Sequence, residues 1–92
     1  MEHSKMHLIL YSKPGCHLCE GLLEKLEQVS TPTIDQVEVR DITTQPNWFE
    51  RYQYEIPVLC YQTADGQEVA LPRLSPRAPV SRLAELLTQA VG

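Results

Sequence analysis

The sequence is short of several things, and each shortage closes off a class of function. No stretch approaches the ~20 apolar residues of a membrane-spanning helix, and the opening MEHSKMHLILY lacks the apolar core of about 7–15 residues that a secretory signal needs. A cytoplasmic protein without a membrane partner is the expectation. Clustered positive charge is missing as well. The eight Lys and Arg residues stand singly from Lys5 to Arg82, outnumbered by twelve acidic residues, for a net charge of -4. A nucleic-acid-binding face needs a basic stripe that releases counterions, so no nucleic-acid partner is expected. Cysteine is scarce: three residues are too few, and odd in number, for a disulfide scaffold. Internal repeats and low-complexity runs are lacking too. A chain of 92 residues therefore reads as one small domain with one core, expected to be monomeric.

What is present alternates between strand and helix signals. HLILY, His7–Tyr11, is a nearly continuous apolar run bounded by Ser12, Lys13, Pro14 and Gly15, which predicts a central strand covered on both faces. Cys19, Leu22, Leu23, Leu26 and Val29 then recur at helical spacing with Glu20, Glu24, Lys25 and Glu27 between them, predicting an amphipathic helix that begins at or next to Cys16. Ser30–Thr33 ends it, and Val37 and Val39 alternate with Glu38 and Arg40 as in a half-exposed edge strand. TTQPNWFERYQ predicts a short helix, with Thr suited to a cap, Pro46 to its first turn, and Trp48 and Tyr52 one turn apart. PVLCY and EVAL flank Asp65 and Gly66 as an antiparallel hairpin. Val80, Leu83, Ala84, Leu87 and Val91 complete an amphipathic helix after Pro79. The order β-α-β-α-β-β-α predicts a mixed four-stranded sheet with helices packed on it. Residues 1–5 are polar and are expected to be a disordered extension before a domain spanning 6–92.

The chemistry concentrates in YSKPGCHLCEG. A helix start leaves backbone N–H groups unpartnered and carries partial positive charge, so a thiolate at Cys16 is stabilised there. Helix N-termini, nearby cations and CxxC spacing lower a thiol pKa from ~8.5 to about 3.5–7.5. Lys13 is one such cation, and His17 is another candidate to tune the thiolate, though a surface place in the first turn is the favoured reading of it. Cys19 lies one turn further on, placed to attack a mixed disulfide on Cys16 and release a reduced substrate. Two other readings stay open. A CxxC is also half of a zinc or iron–sulfur site, but there is no second CxxC, and Cys60, His17, His7 and His3 are the remaining soft ligands. The pair could instead be retained in a non-catalytic interaction module. Cys60 lies within PVLCY and is expected to be a buried, unreactive thiol.

In its element order, in YSKPGCHLC and in the downstream IPVL, the chain resembles the thioredoxin fold and, within it, the glutaredoxin-like proteins, from Met6 to about Val91. The resemblance implies an α/β three-layer sandwich and a thiol–disulfide oxidoreductase with Cys16 and Cys19 as its catalytic pair. Most X-Pro bonds are trans, yet the resemblance implies a cis Pro57 beside the CxxC, with the backbone of Ile56 pairing with a bound thiol peptide and Tyr11 completing the groove. The implied partners are disulfide-bearing proteins or glutathione mixed disulfides, with glutathione or another thiol reductase system as donor and no bound cofactor or metal. Two features depart from the family pattern. The pair reads Cys-His-Leu-Cys rather than Cys-Pro-Tyr-Cys, and LPRLSPRAP, Leu71–Pro79, stands where glutathione-using relatives carry Gly-Gly and Asp. Arg73 and Arg77 in that segment are candidate contacts for a substrate carboxylate.

Overall fold

The first strand, β1 (Met6–Ser12), is paired on both sides and covered on both faces. The computed structural model describes residues 6–29, 34–63 and 65–91, so the expectations for residues 1–5 and for Ser30–Thr33 lie outside it. Leu8, Ile9, Leu10 and Tyr11 are each at most 2% exposed, which is why the strand reads as an unbroken apolar run rather than an alternating one. Successive side chains leave opposite faces of a strand. Leu8 and Leu10 accordingly join Leu26, Leu59, Leu83 and Leu87 in one core, while Ile9 and Tyr11 join Ile42 and Cys60 in the other.

On the first face lie α1 (His17–Gln28) and α3 (Val80–Val91); on the second lies α2 (Pro46–Tyr52), whose Trp48 and Tyr52 pack on Ile9 and Tyr11. The sheet order is β2-β1-β3-β4, with β2 (Ile34–Asp41) parallel to β1, β3 (Val58–Gln62) antiparallel to β1, and β4 (Glu68–Ala70) completing a hairpin around Gly66. This is a three-layer, mixed α/β sandwich. Among the described residues no helix is long and apolar enough to cross a membrane.

Between β2 and α2 the structure corrects the expected cap. A 3₁₀ turn, Ile42–Thr44, precedes α2, and Asp41 rather than a threonine caps it by accepting from the Thr43 N–H at 2.9 Å. Gln45 stands before α2 without a side-chain cap, and Pro46 occupies the first turn, where its missing N–H costs nothing.

The second face carries a polar clasp at its edge. Arg40 on β2 donates to Glu38 at 2.7 Å, to the Tyr11 hydroxyl at 2.9 Å and to Glu68 on β4 at 3.0 Å, and it lies over the Tyr11 and Trp48 rings. The Tyr11 hydroxyl in turn donates to Glu68. The bond from Arg40 holds the Glu38 carboxyl below its ordinary range, and the bond from Tyr11 does the same for Glu68, while burial pushes the Tyr11 phenol upward.

Gly21 sits in the first half of α1, and a Cβ added there meets nothing within 4 Å. Because glycine in a helix interior costs roughly 0.5–1 kcal/mol relative to alanine, Gly21→Ala is expected to raise unfolding stability by about that amount in a urea titration. An unchanged or lower midpoint would mean that the glycine is needed in α1. The clasp makes a second expectation. A carboxyl with a depressed folded-state pKa contributes stability that is present above its ordinary value of 4.5 and is lost as pH falls through the lower folded-state value. Wild-type stability should therefore fall below about pH 4.5, and Arg40→Met should flatten that acid slope while lowering stability at neutral pH by about 1–3 kcal/mol. Parallel acid slopes in the two proteins would show that the clasp does not couple to protonation.

Candidate functional site

Ser12 to Cys16 turns the chain from the end of β1 into α1. Gly15 takes φ 82°, a left-handed backbone conformation that a side chain would strain, and the Cys16 N–H donates to the Lys13 carbonyl at 3.2 Å to close the turn. Cys16 is thereby the residue that caps α1: its Sγ accepts from the Cys19 N–H at 3.2 Å, and its carbonyl accepts from Glu20 N–H at 3.1 Å. A sulfur in this position faces the unpartnered N–H groups of a twelve-residue helix, which favour its anionic form.

Cys16 and Cys19 are joined as a disulfide with their Cα atoms 5.3 Å apart, within the usual spacing for such a bond. They differ in access. Cys16 is partly exposed, whereas Cys19 is 3% exposed. The third cysteine, Cys60, is on β3 in the opposite core, 2% exposed, and burial raises its thiol pKa. The expected burial of Cys60 is thus observed. Among the described residues no group of three or more His, Cys, Asp or Glu gathers at a metal-ligand spacing.

The Ile56–Pro57 peptide is cis, as the family resemblance implied. The register that sets Tyr11 opposite Val58 carries Pro57 to the same end of the sheet as the β1–α1 turn. Pro57 lines a cavity of about 390 Å³ that reaches His17 and Leu18 at the start of α1 and runs back between α1, α3 and the segment Leu71–Pro76. Its lining includes Leu22, Leu59, Leu71, Leu83 and Leu86, with Lys25, Arg73 and Glu55 as charged members. Lys25 Nζ donates to the Pro76 carbonyl at 2.6 Å and Arg73 to the Glu55 carbonyl at 2.7 Å, tying the Leu71–Pro76 segment across the cavity.

The other expected site residues divide. Ile56 packs on the second core, and its N–H donates to the Tyr52 carbonyl at 3.2 Å. Lys13 is exposed and meets Cys16 through its backbone carbonyl. His17 turns outward, 93% exposed, with Nδ1 3.6 Å from Glu20. Arg77 is exposed and lies outside the cavity lining. Tyr11 is a correction: it is on the α2 face of the sheet, 2% exposed, stacked on Tyr52 and held by Arg40 and Glu68. Strand alternation places it opposite Leu10 and so on the far side from the cavity. The lining residues Lys25, Leu71, Leu74 and Leu86 were not foreseen as site residues. Their assembly depends on how α3 and a proline-rich segment close over α1, which no short-range pattern encodes.

Comparison with known proteins agrees with this geometry. A model of the glutaredoxin-like domain family (DUF836) matches residues 7–88. No curated protein matches the chain significantly. A structural-genomics target, protein XcR50 from X. campestris, is 26% identical with a TM-score of 0.61, over 89% of this chain and 96% of that one. Protein Ne2328 from Nitrosomonas europaea is 19% identical with a TM-score of 0.69, over 100% and 98%. Thioredoxin 1 from Thermosipho africanus TCF52B shares the fold at 14% identity and a TM-score of 0.62, over 92% and 93%. With its CxxC at the start of α1 and a family match spanning nearly the whole chain, this protein belongs to the glutaredoxin-like domain (DUF836) family.

Proposed function

We propose that the protein is a thiol–disulfide oxidoreductase that reduces disulfide substrates through Cys16 and Cys19. The observation that carries this reading is the unequal pair at the helix start: a partly exposed Cys16 whose sulfur caps α1, with its buried partner Cys19 one turn inside. In the reduced protein the Cys16 thiolate attacks one sulfur of the substrate disulfide. A Cys16–substrate bond forms, the substrate bond breaks, and the other substrate sulfur leaves as a thiolate that takes a proton from water. Cys19 loses its proton to solvent and attacks the Cys16 sulfur, expelling the second substrate thiolate, which is protonated in turn. The substrate gains two electrons and two protons, and the protein is left with the Cys16–Cys19 disulfide seen in the structure. An external thiol, glutathione or a thiol reductase system, returns the two electrons.

The remaining groups support this cycle. In this reading Lys13 adds positive charge near the turn, and Pro57, a lining residue of the cavity, borders the substrate groove together with the Ile56 backbone. Because the Ile56 N–H is already given to Tyr52, the carbonyl of that residue is the group offered to a docked peptide. A soluble reducing compartment such as the cytoplasm, and a monomer acting on disulfide-bearing proteins or glutathione mixed disulfides, fit this chemistry.

Replacing the nucleophile tests the reading directly. Cys16→Ser is expected to lower reduction of bis(2-hydroxyethyl) disulfide, with glutathione and glutathione reductase or with dithiothreitol as donor, to the uncatalysed background. Cys19→Ser is expected to accumulate a Cys16–substrate mixed disulfide, visible by mass spectrometry without reductant. Full activity in Cys16→Ser would sink the assignment. The thiols should also separate by reactivity. Iodoacetamide should modify Cys16 of the reduced native protein first, with a pH midpoint below ~8.5 and in the range of about 3.5–7.5, and Cys60 only on unfolding. Rapid modification of native Cys60 would contradict its enclosure between the sheet and α2.

A further inference from the structure

The cavity that opens at the start of α1 is lined by His17 and Leu18, the two residues that follow Cys16 in the chain. Its ~390 Å³ lies within the range of about 300–1,000 Å³ typical of built ligand pockets, and its walls are leucines from α1, β3, α3 and the Leu71–Pro76 segment. We propose that this cavity is the anchor pocket for a large apolar side chain that neighbours the half-cystine of an acidic polypeptide disulfide. The inference rests on the exchange reading above and names the substrate class of that same site.

Three observations point to this occupant. First, the cavity is lined by His17 and Leu18, which follow Cys16 in the chain, and by Pro57, which the strand register brings to the same end of the sheet as the turn before Cys16. Second, apolar surface is exposed at the cavity itself: the lining residue Leu18 is 52% exposed. A polypeptide lying across the cavity would cover that side chain. Third, the charge of the lining runs against that of the chain. Lys25 and Arg73 face one carboxylate, Glu55, in a protein of net charge -4. Among the described residues each cation gives one hydrogen bond to a wall carbonyl, which fixes its position and leaves its charge to attract a substrate carboxylate.

The test is a series of mixed disulfides of one short peptide, with Ala, Leu or Phe next to the cysteine and Glu or Lys two residues further on. Each is compared by kcat/KM, with bis(2-hydroxyethyl) disulfide as reference. Wild type is expected to prefer Leu or Phe over Ala by about tenfold or more, given the worth of a few buried methylenes, and Glu over Lys by about threefold, given the modest strength of exposed ion pairs. Gly21 lines the cavity with open space at its Cβ, so Gly21→Leu should fill it from α1 and bring the Leu/Ala ratio close to one. Arg73→Glu should reverse the Glu/Lys preference. Equal rates for Ala and Leu peptides, or a Leu preference that survives Gly21→Leu, would overturn the pocket while leaving the exchange reading intact. A simple alkyl disulfide outperforming every peptide would overturn the polypeptide occupant in favour of a small apolar one. No wild-type turnover of bis(2-hydroxyethyl) disulfide with any thiol donor would overturn the exchange reading and the pocket's role together.

Discussion

The structure depends on one constraint: β1 has no solvent-facing side. Four consecutive residues, Leu8 to Tyr11, are enclosed, so helices must cover both faces of the sheet and the strand must lie in its middle. A chain leaving the end of such a strand has to turn sharply to reach a face. Here it does so through Lys13, Pro14 and Gly15, and the helix that follows starts directly above the strand end. The position of Cys16 is a consequence of that turn. The antiparallel pairing of β3 with β1 then brings the entry to β3, and with it Pro57, to the same end. Two segments about forty residues apart in sequence come to the same end of the sheet because both neighbour the one buried strand.

The sheet also separates two kinds of packing. On the α2 side, aromatic rings and the Arg40 clasp fill the space, tying β2, β1 and β4 together through Glu38, Tyr11 and Glu68. On the α1 and α3 side, leucines form the core, and an apolar space remains under the Leu71–Pro76 segment. The division keeps Cys60 from the CxxC pair. It lies opposite Ile9 in the register, facing the α2 layer, so disulfide exchange between it and Cys16 would require the sheet to open.

Much of this was legible in the residues because it follows from short-range periods. The apolar run of β1, the helical spacing from Cys19 to Val29, the Asp65–Gly66 hairpin and the final helix each state their structure within a dozen residues. IPVL and the CxxC together pointed to the family and to the cis bond. What was not legible depends on register and closure. That Arg40 on β2 would meet Glu68 on β4 across the two strands between them follows from pairings that no local pattern specifies. Tyr11 was grouped with the substrate groove by resemblance, whereas strand alternation turns it to the other face. Arg73 was noted as a possible carboxylate contact, but its bond to the Glu55 carbonyl, and the cavity it helps to wall, arise only when a segment without any period folds over α1.

Helix α1 joins the chemistry to recognition. Its buried stripe, through Cys19, Leu22, Leu23 and Leu26, holds it to the sheet, and the adjoining stripe, His17, Leu18, Gly21, Leu22 and Lys25, walls the cavity. Both stripes begin beside the sulfur that caps the helix. Under the proposed exchange reaction, a side chain seated along the second stripe would be fixed relative to the helix whose start carries Cys16, and attack on a disulfide next to that side chain would become effectively intramolecular. In relatives that use glutathione, a Gly-Gly and an acidic residue hold a small charged thiol. In this chain proline and arginine stand there, and leucine is the commonest residue lining the cavity. Binding at such a surface draws on buried apolar area, so under the exchange reading discrimination among substrates would fall chiefly on the size and hydrophobicity of the residue beside the disulfide.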